Sequence, residues 1–176
     1  PRRVGFVDAP VSGGQVGAEQ ASLTIMCGGS DNDVARAMPL LRVLGKHITH
    51  VGGVGAGQVA KSANQVIVGL SICAVAEAIA LARRAGVAPD RLREALMGGF
   101  AASRVLEVHG QRMATGDFQP GARVRTQQKD LVQALELAAE HKLELPALAR
   151  CAELYDQLAA QGNADLDHSA VFKLYS

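Results

Sequence analysis

The sequence predicts a mainly α-helical chain: a short α/β stretch over residues 1–54, then an all-helical part over residues 55–176 built on one long helix. Three observations predict it. Thirty of the 176 residues are alanine and only six are aromatic, with no tryptophan, which suits closely packed helices better than a β-sandwich. From Gln58 to Arg84 the chain runs without proline in an apolar helical pattern. Before that stretch lie three short apolar runs closed by turn residues, the mark of strands.

The elements follow in order. Val4 to Asp8 reads as a first strand, and Leu23 to Cys27, closed by Gly28-Gly29, as a second. A helix is expected over Asp31–Leu44, with Val34, Met38, Leu41 and Leu44 on its inner face and Ser30 as its cap; Pro39 is expected to kink or split it. Ile48 to Val51 is the third strand, closed by Gly52-Gly53. Three such strands make a poor sheet by themselves. The long helix from Gln58 to Arg84 spans about 40 Å and stops at Gly86. Pro89-Asp90 restarts a helix that ends at Met97-Gly98-Gly99. Further helices are expected over Ser103–Met113, Thr126–Lys142 and Pro146–Gln161, with a short one from His168 onward.

Composition excludes several functions. With 18 basic and 17 acidic residues the net charge is +1, which leaves no electrostatic footprint for nucleic acid or a membrane surface. Cys27, Cys73 and Cys151 have no metal-ligand spacing and read as buried small hydrophobes in a reducing, cytoplasmic setting, so no metal is expected. The longest apolar stretch, Val66 to Ala82, is interrupted by Ser71 and Glu77 and reads as a buried helix rather than a membrane span. Pro1 leads almost straight into an apolar run, so the start is read as a cut.

Four segments carry chemistry. Asp8-Ala9-Pro10-Val11-Ser12-Gly13-Gly14 follows a strand, and a Ser-Gly-Gly turn opening a helix exposes N–H groups and a hydroxyl suited to a carboxylate or phosphate. Its plainer reading is a strand-to-helix turn with Ser12 as the cap. The run from Gly52 to Gln65 contains Gly-x-Gly but lacks the Gly-x-Gly-x-x-Gly dinucleotide fingerprint. Its glycines permit a close approach at a helix start. Lys61 there stands near the positive helix end, which disfavours its charged form and suits a proton donor; Gln58, Asn64 and Gln65 share its face. At Gln127-Gln128-Lys129-Asp130-Leu131, Lys129 could meet an anion with Asp130 to orient it, or the run is a solvated helix start. Gly98-Gly99-Phe100 could line a pocket or turn between helices around one buried ring. Asp167-His168 could be an acid/base pair, although a helix cap is the commoner use.

Taken in order, Asp-Ala-Pro-Val-Ser-Gly-Gly at 8–14, Gly-x-Gly-x-x-x-Lys-x-x-Asn at 55–64 and Lys-Asp-Leu at 129–131 resemble the C-terminal signatures of the β-hydroxyacid dehydrogenases, the 3-hydroxyisobutyrate dehydrogenase-like family. The resemblance runs over the whole chain. It implies a helical C-terminal domain of the 6-phosphogluconate dehydrogenase-like type over 55–176, for substrate binding and oligomerisation, preceded by the closing strands and helix of a truncated NAD(P)-binding Rossmann domain over 1–54. It also implies NAD or NADP as cofactor, with most of its site in the missing N-terminal part, and a small 3-hydroxy or 3-oxo carboxylic acid as substrate. Lys61 would be the general acid. Ser12, Gly13 and Gly14 would hold the substrate carboxylate, with Asn64 and Gln65 on its hydroxyl or on the lysine. Lys129, supported by Asp130, would reach the cofactor. A homo-oligomer, dimer or tetramer, is implied as well. The competing expectation is a helical assembly module with no catalysis of its own.

Overall fold

The computed structural model describes residues 4–175 and divides into two compact units, one up to Asn64 and one from Gln65.

The first unit is a small mixed sheet with two helices. Strands β1 (Val7–Asp8) and β2 (Val11–Ser12) both pair antiparallel with β3 (Leu23–Gly29), at Asp8↔Gly28 and Ser12↔Thr24. Ala9 and Pro10 interrupt what is otherwise one strand, and the Met26 N–H still donates to the Pro10 carbonyl at 3.0 Å. β4 (Gly45–Gly52) runs parallel to β3. The first strand is therefore shorter than the apolar run suggests: Val4 and Phe6 lie outside it and are exposed, at 80% and 62%.

Helix α1 (Gly14–Glu19) follows β2, and its cap is Gly13 at φ 130°, a backbone region closed to most L side chains. The expected cap, Ser12, is instead the last residue of β2. α2 (Asp31–Leu44) is capped by Ser30, whose hydroxyl accepts the Asp33 N–H. Pro39 neither splits nor ends it. Pro39 and Ala35, whose carbonyl loses its helical donor, both lie on the solvent side, where water can replace the missing bond. Leu23, Ile25, Cys27, Val34 and Leu41 form this unit's core.

The long helix α3 (Ala56–Arg84) carries the chain from one unit into the other. An 18-residue window of it has a mean hydropathy of 2.1, enough by length and composition to cross a membrane. In the second unit its Ile72, Ala76 and Ile79 are fully buried in a protein core instead. Around it stand α4 (Pro89–Met97), α5 (Arg104–Thr115), α6 (Val124–Glu140) and α7 (Pro146–Leu158), then a wide turn and a 3₁₀ helix over His168–Tyr175. α6 starts two residues earlier than its sequence suggests. A distant segment caps it: Val124 N–H donates to Leu166 O and Arg125 N–H to Ala164 O. α7 passes after Leu158 into a π-helical turn over Ala159–Asn163, in which Gly162 is left-handed at φ 81°. The three cysteines are free and buried, with Cys73 and Cys151 sulfurs 3.3 Å apart.

Candidate active site

In the first unit, Asp8 reaches the start of α3. The chain leaves β4 through Gly52-Gly53-Val54-Gly55 and enters the helix at Ala56. The first turn is held by a residue that sequence reasoning left unassigned. Asp8, only 8% exposed, accepts the Gly55 N–H at 2.7 Å on one oxygen and the Gln58 N–H at 2.9 Å on the other. A buried carboxylate needs such partners, and the positive end of a helix is a favourable place for it. The glycines make room for it: a Cβ on Gly57 would lie 2.4 Å from the Met26 carbonyl and 2.6 Å from Asp8 Oδ2. The close approach foreseen for these glycines is thus made by Asp8 and β3. The signal was present in the sequence, as an aspartate ending a strand before a glycine-rich helix start.

Lys61 lies in the second turn of α3, half-buried, with Asn64 one turn further on. Ser12, Gly13 and Gly14 form the turn between β2 and α1. The space beside Gly14 is open, since an added Cβ there would meet nothing within 4 Å.

The second unit brings together three other sequence candidates. Gln65, 9% exposed, donates from Nε2 to Asp130 Oδ2 at 2.6 Å, and the Lys129 ammonium lies 3.3 Å from Asp130 Oδ1. Lys129 is 65% exposed, so Asp130 links a buried amide to a cation that faces solvent.

Asp167 and His168 are a structural network here rather than an exposed acid/base pair. Asp167 Oδ2 accepts the Gly121 and Ala122 N–H groups, and Oδ1 accepts the N–H and hydroxyl of Ser169. Burial opposes its ionisation, yet His109, Ser169 and His168 hold its carboxyl well below the usual carboxylate range. Burial first, then His109, pushes His168 down to about 4. Its ring meets Gln127 Oε1 at 3.2 Å and stands edge-on to His109 at 4.5 Å between centroids. His109 was not singled out in the sequence, where a lone histidine on a helix carries no signal. Its Nδ1 is 3.6 Å from Asp167 Oδ1. His109, Asp167 and His168 could geometrically surround a cation. The four donors already on Asp167 give it a capping role instead. Phe100, expected to line a pocket or be buried, stands fully exposed in the turn after α4.

A family described as the NAD-binding domain of NADP-dependent 3-hydroxyisobutyrate dehydrogenase matches residues 55–175. The chain belongs to the β-hydroxyacid dehydrogenase family. A second family, the NAD-binding domain of 6-phosphogluconate dehydrogenase, matches residues 1–52. Among β-hydroxyacid dehydrogenases and their kin, the chain is 52% identical over 166 residues to the 2-hydroxy-3-oxopropionate reductase of Escherichia coli K12, covering 94% of this chain and 57% of that protein. It superposes on 3-hydroxyisobutyrate dehydrogenase from Salmonella typhimurium with a TM-score of 0.90 and 32% identity, covering 97% of this chain and 60% of that one. For the Mycobacterium tuberculosis 3-hydroxyisobutyrate dehydrogenase with L-serine, the TM-score is 0.88 at 34% identity, over 96% of this chain and 60% of that one. The chain thus spans somewhat under two thirds of these relatives.

Proposed function

We propose that this chain is the substrate-binding part of an NAD(P)H-dependent reductase that converts 2-hydroxy-3-oxopropionate (tartronate semialdehyde) to glycerate. The observation that carries the reading is the 52% identity to the Escherichia coli 2-hydroxy-3-oxopropionate reductase. In this reading residues 1–54 close a nucleotide-binding domain, residues 55–176 bind substrate and assemble a cytoplasmic dimer or tetramer, and most of the cofactor site lies in a preceding segment.

The residues present fit such a cofactor. Parallel strands β3 and β4 end side by side at Gly28 and Gly52, the carboxyl-end edge at which open α/β sheets take nucleotides. The family resemblance assigns Lys129, which Asp130 braces at 3.3 Å, to the cofactor. When bound, the nicotinamide supplies the hydride for the aldehyde carbon. The chain's own groups do the rest. The Ser12 hydroxyl and the Gly13 and Gly14 N–H groups donate to the substrate carboxylate. The Lys61 ammonium polarises the carbonyl oxygen and gives it a proton as the alkoxide forms, leaving a primary alcohol. Asn64 and Gln65 hydrogen-bond the substrate hydroxyl or orient Lys61.

Lys61→Ala in the intact reductase should lower kcat at least ~100-fold, the usual weight of a general acid, with the KM for NAD(P)H nearly unchanged. An equal loss of cofactor binding would make Lys61 a cofactor ligand instead. Steady-state rates on tartronate semialdehyde and methylmalonate semialdehyde test the substrate, and a clear preference for the second would replace the reading with 3-hydroxyisobutyrate dehydrogenase. The 176-residue chain alone should show no NAD(P)H oxidation; activity free of longer contaminants would overturn the assignment of the cofactor site to a preceding segment.

A further inference from the structure

We propose that Asp8 is the positioning residue for Lys61: it pins the first turn of α3 to the sheet and thereby sets the place of the lysine relative to the Ser12–Gly14 turn. The inference rests on the reading of Lys61 as the proton donor.

The geometry forms a closed frame within the first unit. β1, which ends in Asp8, pairs with β3 at Gly28, and β2, which ends in Ser12, pairs with the same strand at Thr24. The two short strands are joined by Ala9-Pro10, and proline fixes one of the backbone angles of that link. Ser12 is therefore referenced to β3 through backbone pairing. The start of α3 is referenced to the same strand through Asp8, whose two oxygens take the N–H groups of Gly55 and Gln58. Lys61 is three residues beyond Gln58, on the same face and one turn on. Helical Cα–Cβ bonds lean toward the N-terminus, so its side chain starts out toward the turn that Asp8 holds.

The slot around the carboxylate is tight from both sides. A Cβ on Gly28 would stand 2.4 Å from Asp8 Oδ1 and 2.8 Å from the Gly57 nitrogen. One on Gly57 would strike Asp8 Oδ2 and the Met26 carbonyl. The two glycines let strand, carboxylate and helix approach at distances no other residue permits. A helix that needed only a cap could use a serine from its own preceding loop. Here the cap comes 47 residues earlier in the chain, from the strand that leads into Ser12. That choice ties the two halves of the proposed substrate site together.

The test compares Asp8→Asn, Lys61→Ala and the double variant in the intact reductase. Asp8→Asn keeps the side chain's shape, removes its charge and leaves one carbonyl acceptor for two N–H groups. It should lower kcat roughly 10- to 100-fold, the scale set by misplacing a reacting group by about 1 Å, with the KM for NAD(P)H within about twofold. Because Asp8 acts through Lys61, the double variant should be no slower than Lys61→Ala alone. Where the asparagine variant is too unstable to assay, Asp8→Ser, which keeps one short acceptor, gives the same comparison. Normal kcat with only a lowered Tm would overturn the proposal and leave Asp8 a cap. Losses that multiply in the double variant would overturn it too, because Asp8 would then act independently of the lysine. A fully active Lys61→Ala would bring down the proton-donor reading, and this role with it, whatever Asp8→Asn does.

Discussion

Each unit buries an aspartate and turns its oxygens toward backbone N–H groups, but in unlike surroundings. Asp8 sits among glycines beside a sheet whose core, among the described residues, is five side chains, while Leu40, Val43 and Phe6 of the same unit are each more than 60% exposed. Asp167 sits at the foot of a helical core of seventeen buried residues that includes Ile79, Leu131, Tyr155 and Phe172. The first aspartate fixes a helix start that carries chemistry-bearing residues. The second closes a packed domain, tying the loop at Gly121-Ala122 to the last 3₁₀ helix. One interaction type therefore serves geometry where the core is thin and cohesion where it is thick.

Core truncations should separate the two most strongly. Ile79→Ala removes a fully buried side chain from the large cluster and should cost 2–5 kcal/mol, roughly, toward the upper end because the surrounding helices cannot all close in. Ile25→Ala, equally buried but in the small cluster, should fall near the lower end. Thermal denaturation of both, read by site-resolved hydrogen exchange, measures the contrast; equal costs would erase it.

Acid should act on the helical unit next. His168 is held down to about 4 in the folded chain against an ordinary value of 6.5. Between those pH values the unfolded chain binds a proton that the folded one resists. Stability is therefore complete above about pH 6.5 and falls as pH drops toward 4, by up to about 3 kcal/mol. Asp167, whose folded value is depressed, adds its own loss below the ordinary carboxylate range. Melting of the helical unit should show this slope, and His168→Gln should flatten it; an unchanged slope would mean that another group carries it.

The helix caps offer a matched pair. Ser30 caps α2 in the first unit and Ser103 caps α5 in the second, each by a hydroxyl that accepts one N–H. Ser30→Ala and Ser103→Ala should each cost about 1 kcal/mol in urea titrations, since a cap is local and indifferent to the size of the core behind it. A large difference between them would show that capping is coupled to packing. Leu40→Gln, on the exposed face of α2, should shift the unfolding midpoint least, by within about 0.5 kcal/mol in free energy.

Much of the helical unit was legible locally. Pro89 and Pro146 each open a helix, Gly116 closes one in a left-handed turn, and Ser103 caps where it was expected to begin one. Several of the deviations come from surroundings that only the folded chain supplies. α6 begins early because Leu166 and Ala164 supply its caps, and Ser12 is drawn into a strand by pairing with Thr24. Pro39 is tolerated inside α2 because the bond it forfeits faces water, and helical periodicity cannot tell which side of a helix will be wet until the core is assembled.

Composition and motif order, by themselves, determined the class of the molecule. Alanine-rich, ring-poor segments with local start and stop signals can form little but helices, and three spaced motifs led to the family. Only the tertiary structure decided what the motif residues touch. The glycines before Lys61 read as permitting a close approach at a helix start, and the group that makes it is Asp8, brought from 47 residues away by strand pairing. The Asp-His pair at 167–168 read as possible chemistry, yet its partners Gly121, Ala122, Gln127 and His109 make it the closure of the helical core. Hydrogen-bond partners and desolvation are properties of three-dimensional neighbourhoods, and no local pattern in a chain encodes which distant group will arrive there.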